Sequence, residues 1–224
     1  MSPVISSMNA STAKSCGPGR PKDLEKRAAI LQAAKQLFPV HGFDGTSMDT
    51  IAALAGVSKL TVYSHFTDKE SLFAEAVRAK CAEQMPGELF DVDVRGPLRE
   101  QLLAIARAFF ALVTSEEAIA LHRLLTTGAG GSEKLAQMFW EAGPQTLQSE
   151  FASFLEREVE AGQLVVPDIP RASSQFFCLL KGELHARQLC GCTGAPFAEA
   201  EIEAHVSATV DLFLRAYAPR NPVT

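Results

Sequence analysis

The chain has no run of 18 apolar residues, which excludes an ordinary membrane-spanning helix. Strand signals are scarce. There is no long alternation of period two, and no Asn-Gly or Asp-Gly turn between β-branched runs, so a sheet is not expected. Fingerprints of catalysis and cofactor binding are missing too: no G-x-G-x-x-G, no Walker loop, no H-E-x-x-H and no G-x-S-x-G. This argues against an enzyme and implies no cofactor and no metal. The first residues, "MSPVISSMNASTAKSCGPGRPK", lack the apolar core of a secretory signal. They are rich in Ser, Gly and Pro, so 1–22 are expected to form a flexible tail. The five cysteines are Cys16, Cys81, Cys178, Cys190 and Cys192. An odd number without an export signal points to a reduced, cytoplasmic protein.

What is present is enough for a sizeable core. The 224 residues are 47% hydrophobic, and that length suits one or two domains. The net charge of −5 conceals an asymmetry. Residues 14–80 carry ten Lys/Arg against seven Asp/Glu, whereas 81–224 carry eleven against nineteen. A basic end on an acidic body suggests that one end meets a polyanion, with nucleic acid the obvious candidate.

Helical periodicity runs almost throughout. Ile30, Leu31, Ala34, Leu37 and Phe38 repeat on one face of a first helix over about 23–41, closed at Gly42. Thr46 and Ser47 are N-cap candidates for a short second helix with Met48, Ile51 and Leu54 turned inward. Gly56 makes a turn, and Ser58 caps a third helix. Thr67 to Glu70 reads as a capping box opening a fourth helix to about 84. Short helices joined by tight turns match a helix-turn-helix. The Pro-, Gly- and Asp-rich stretch 86–96 places the boundary between a domain over 23–84 and another over 85–224. Further helices are expected at about 97–113, 115–127, 132–142, 144–161, 170–188 and 199–217.

The third helix shows what the basic end touches. In "AGVSKLTVYSHF" (Ala55–Phe66), Val62 and Phe66 share an inner face. Lys59, Leu60, Thr61, Tyr63, Ser64 and His65 are left to project outward. About one turn of side chains for base edges, flanked by groups for phosphate, is the design of a recognition helix in duplex DNA.

The stretch "TSMDTIAALAGVSKLTVYSHFTDKESLF", with "ILQAAKQLFPVHGFDG" before it, resembles the TetR family of bacterial transcriptional regulators. The similarity covers roughly 25–83. It implies an all-α homodimer in which each subunit joins an N-terminal DNA-binding domain to a larger C-terminal domain for dimerisation and small-molecule sensing. It also implies roles for residues. Lys59 matches a position that reads a base, and its ammonium suits guanine O6 or N7. Leu60 departs from the small residue or proline common there, leaving a thymine methyl contact and packing both open. Thr61 suits a base or a phosphate. Tyr63 and His65 match backbone contacts, as do Thr46, Ser47 and Lys69; Ser58 caps and sits among them. Ser64 replaces what is often a larger residue, so the half-site sequence does not follow. Arg20 and Lys22 suit a basic arm or a solvated tail.

For the body, the resemblance implies an effector pocket, with Phe110, His122, Met138, Trp140 and Phe177 as candidates. Arg123 is expected to pair with an acidic neighbour. Phe176, Leu180, Val206, Val210 and Phe213 on the final two helices are candidates for a four-helix dimer interface, with packing inside one subunit as the alternative. Cys178, Cys190 and Cys192 lie near His185, so a soft-metal or redox site stands beside a reading of Cys178 as a core residue. The partners expected are a palindromic operator, a small-molecule effector and a second copy of the chain, with no membrane. An enzyme and a helical adaptor are the competing classes, and salt-dependent retention on duplex DNA separates both from a regulator.

Overall fold

The computed structural model describes residues 20–91, 96–126, 133–192, 194 and 196–219. Ten α-helices make up the described chain: α1 (Arg20–Gly45), α2 (Met48–Ala55), α3 (Lys59–His65), α4 (Lys69–Gln84), α5 (Leu98–Val113), α6 (Glu116–Thr126), α7 (Glu133–Ala142), α8 (Pro144–Glu160), α9 (Ile169–Leu189) and α10 (Glu199–Tyr217). Most of the expected tail, residues 1–19, lies outside the described residues, as do the side chains of Arg20 and Lys22 and the cysteine at 16. The helix nevertheless begins at Arg20 rather than Asp23.

In α1 the regular path breaks at Gly42 (φ 72°), a left-handed conformation that glycine adopts without a Cβ penalty. Thr46 closes that break. Its hydroxyl donates to the Gly42 carbonyl at 2.7 Å, and the residue is 1% exposed. The next two helices are capped as their sequence suggests. Ser47 Oγ accepts from the Thr50 amide at 3.0 Å, and Ser58 Oγ from the Thr61 amide at 3.1 Å. For α4 the box is one residue later than expected. Asp68 is the N-cap and Ser71 its reciprocal partner, so Thr67 and Glu70 do not form it.

Two apolar cores result. The first gathers Ile30, Phe38, Ile51, Val62, Phe66, Leu72 and Phe73 from α1–α4. Phe73 meets Phe38 edge-on at 5.2 Å, the favourable geometry for aromatic quadrupoles. This core is not self-contained, because Leu135 and Ala142 of α7 belong to it and Leu121 and Leu125 of α6 pack on it. Leu54, expected inside, is 51% exposed. The second core lies among α5 and α8–α10. There Phe151 stacks on Phe176 at 4.6 Å, and Phe213 meets Phe176 edge-on at 4.9 Å and lies tilted 6.2 Å from Phe151. A 3-10 turn at Gly87–Phe90, within the Pro-, Gly- and Asp-rich stretch, contributes to it by burying Leu89 and Phe90.

A second glycine explains a bend. Gly182 (φ 47°) interrupts α9, and a Cβ there would lie 2.8 Å from His205 Cε1. The His205 ring fits against the vacant side, with Nε2 2.7 Å from the Leu180 carbonyl.

The interface candidates on the last two helices are corrected by this packing. Phe176, Leu180, Val206, Val210 and Phe213 are each at most 2% exposed within a single subunit. They are the body's own core, because α10 packs its apolar stripe on α5 and α9. The apolar groups left outward on those helices are Leu179 (42% exposed) and Leu212 (49%). No helix among the described residues is long and apolar enough to cross a membrane.

Candidate DNA interface and ligand cavity

α2, the turn at Gly56 and α3 hold a polar surface away from the core. Gly56 adopts φ 67° as the C-cap of α2, and its amide returns to Ala52 and Ala53 carbonyls. Val62 is the buried residue of α3, which fixes the helix's rotation. Leu60 is consequently 81% exposed and Tyr63 46% exposed, so Leu60 does not serve packing. Ser47, Ser58, Lys59 and Ser64 are exposed as well, and Thr61 is half-buried. Lys59 Nζ lies 2.9 Å from Asp49 Oδ2, and that hydrogen bond and charge raise the lysine above its ordinary value. The ammonium thus stays charged and is held at the start of α3.

Three expected contacts are placed elsewhere. Thr46 is buried, as described above, so its hydroxyl is not available to a phosphate. His65 turns back to α1, its Nε2 3.1 Å from Asp23 Oδ1 and its side chain 11% exposed. Sequence periodicity put it outward, but the last turn of so short a helix lies against α1. Lys69 Nζ donates to the Phe43 carbonyl at 2.8 Å and sits 4.2 Å over the Phe43 ring, bracing the loop after Gly42.

A cavity of about 460 Å³ opens between α1 and α4 on one side and α5–α9 on the other. His122, Trp140 and Phe177 line it, as expected. Phe110 and Met138 do not. Phe110 faces His205 on the far side of α5, 5.5 Å between rings, and Met138 packs on the first core. Sequence reasoning missed Lys181, His185 and Gln148, which also line the cavity. Cys178 and Lys181 precede the break at Gly182 and His185 follows it, so helical spacing alone did not reveal that they share the cavity. Cys178 is exposed to the cavity rather than packed in the core. Cys190 and Cys192 are exposed at the turn beyond α9, and no metal-holding group of three or more His, Cys, Asp or Glu occurs among the described residues. Arg123, expected to meet an acid, instead donates to the Leu189 and Gln188 carbonyls at 2.8 and 2.6 Å. A cation there suits the negative end of the α9 dipole.

Burial lowers both cavity histidines below the usual imidazole value, with the Lys181 charge adding to the effect, and His185 falls to about 4. Burial lowers Lys181 as well. The cavity therefore combines an aromatic wall with a cluster of poorly solvated nitrogen bases.

Comparison with known proteins matches both halves. Residues 30–76 fit the model described as "Bacterial regulatory proteins, tetR family", and residues 100–219 fit "AefR-like transcriptional repressor, C-terminal domain". The HTH-type transcriptional regulator YdeS of Bacillus subtilis (strain 168) is 29% identical over 147 residues, covering 65% of this chain and 71% of its own. A TetR-family structure from Mesorhizobium loti MAFF303099 superposes with a TM-score of 0.72 at 30% identity, over 88% of this chain and 99% of the other. The flavonoid-responsive regulator FrrA is 34% identical with a TM-score of 0.68, over 88% and 98% of the two chains.

Proposed function

The chain belongs to the TetR family of transcriptional regulators, and from that premise we propose a homodimeric cytoplasmic repressor that leaves a palindromic operator when an effector fills the cavity. It acts by binding, not by catalysis. The observation that carries this reading is the exposed face of α3, where Ser58, Lys59, Leu60, Tyr63 and Ser64 stand clear of the core. Lys59, Leu60 and Ser64 are assigned to base edges. Ser47, Ser58, Thr61 and Tyr63 are assigned to phosphates, with Lys69 supporting them from behind. The DNA-binding unit is α1–α4, and the effector-binding and dimerisation unit is the remainder.

Dimerisation is assigned to the outer faces of α9 and α10, around Leu179 and Leu212. The two recognition helices then have to enter major grooves about 34–36 Å apart. The cavity bears on that spacing because one wall is α1 and α4, and the opposite wall is the body. A ligand touching both walls is sensitive to the angle between them. It weakens operator binding by its preference for the non-binding angle, and by no more than that. The aromatic wall and the flavonoid response in FrrA's name support an aromatic effector.

The test is a fluorescence-anisotropy titration of duplexes recovered by binding-site selection, repeated over a salt series. The expected result is a selected palindrome bound far more tightly than random duplex, with affinity falling as salt rises. Tyr63→Phe is expected to weaken operator and random duplex by a similar factor, about threefold or more, for one lost phosphate hydrogen bond. Because the phenol carries no charge, the salt slope should stay as in the parent protein. A variant weakened only on the operator would move Tyr63 to base recognition; absence of any selected sequence would remove the regulator reading.

A further inference from the structure

The charges lining the cavity do not balance. Among the described residues its two carboxylates are Glu83 and Glu117, and each already has a lysine: Glu83 pairs with Lys35, and Glu117 lies 3.5 Å from Lys80. The third lysine, Lys181 of α9, has no ion pair among the described residues. The one acid of α9, Glu183, is 81% exposed and lies beside Arg187. Past the break at Gly182, His185 is only 5% exposed, and its Nε2 has no hydrogen-bond partner among the described residues. His122 of α6 adds a second imidazole, 5.6 Å from the first between ring centres. A buried polar nitrogen without a partner is costly, and desolvated bases crowded together more so. An anion relieves all three, because it both accepts their hydrogen bonds and offsets the charge of the lysine.

We propose that the effector is an amphipathic organic acid, with an apolar, largely aromatic body and one carboxylate or phenolate seated against Lys181 and His185. This rests on the reading of the cavity as the effector site. The acid oxygens accept from the Lys181 ammonium and from His185 Nε2, while the body lies among Phe109, Trp140 and Phe177. The depressed basicity of Lys181 and both histidines is reversed when the anion arrives. Neutral ligands of the same shape forgo these charge-assisted bonds.

A matched pair of probes tests it on the full-length protein. 1-Anilinonaphthalene-8-sulfonate and N-phenyl-1-naphthylamine share a scaffold and differ by the anionic group. Energy transfer from Trp140, the one tryptophan of the chain and a lining residue, reports occupancy. The anionic probe is expected to bind about tenfold or more tightly than the neutral one, as one or two charge-assisted hydrogen bonds provide. Lys181→Met should erase that preference while leaving the neutral probe within about twofold, and Lys181→Arg should restore most of it. Circular dichroism confirms that each variant is folded. Competition by 2-naphthoate and by 2-naphthol, each at neutral pH and at a pH high enough to ionise the naphthol, then separates carboxylate from phenolate. Equal binding of the two probes to the parent protein would overturn the proposal. So would an equal loss of both in Lys181→Met. If the neutral probe alone releases operator DNA, the effector site stands and its acid specificity falls. If neither probe is bound, or occupancy leaves operator affinity untouched, the effector-site reading fails with it.

Discussion

Phe176→Ala is expected to destabilise the subunit by about 3–5 kcal/mol while leaving the dissociation constant of the proposed dimer nearly unchanged. The ring is fully buried, 4.6 Å from Phe151 and 4.9 Å from Phe213 between centres, with Phe177 beside it. Truncation removes the apolar area and leaves a cavity that rigid neighbouring rings cannot close. For a chain of this size the midpoint should fall by roughly 10 °C, at about 2–4 °C per kcal/mol. Thermal unfolding at fixed protein concentration measures the loss, since the proposed dimerisation would make the midpoint concentration-dependent. Sedimentation equilibrium measures the dimer. Leu212→Glu supplies the contrast: its side chain is already half in solvent, so subunit stability should change little while association weakens. A Phe176→Ala protein that stays stable and turns monomeric would return that residue to the interface.

Lys59→Ala should change which DNA sequence is preferred, with discrimination at one base pair per half-site falling by about tenfold or more if the ammonium reads a guanine. Lys59 opens α3, half-exposed and steadied by Asp49 at 2.9 Å. That surface pair adds little to folding, so the variant should unfold at nearly the parent temperature. On DNA the consequence is larger. The base contact is lost, and the Asp49 carboxylate is left facing a polyanion with no cation between them. Non-specific affinity should therefore fall too, and the salt dependence should flatten by about one counterion per subunit. Binding-site selection with the variant provides the readout; recovery of the parent motif unchanged would remove Lys59 from base recognition.

Those two residues show where sequence patterns carry information and where they stop. The stripe along the last helix announces that one face is buried, but periodicity does not say against what. Val206, Val210 and Phe213 face α5 and α9 of their own subunit, a pairing set by partners far away in the chain. The same reason explains Phe110, whose helix places it one face away from the cavity that Phe109 lines. His65 and Thr46 look like surface polar groups in one dimension. Only the return of α1 past the end of α3, and the break at Gly42, put them inside. Leu54 errs the other way, since an eight-residue helix buries barely two turns and leaves its end in solvent.

Local rules determined the helices, the caps at Ser47 and Ser58, the αL turn at Gly56 and the polar run of α3, because each depends on neighbours a few residues apart. Family resemblance, equally local, settled the class of regulator. The tertiary structure alone decided that α6 and α7 complete the first core, that the final apolar stripe is spent within the subunit, and that Lys181, His122 and His185 meet in one cavity. Those outcomes depend on contacts between residues more than a hundred positions apart, where burial, not propensity, sets the arrangement.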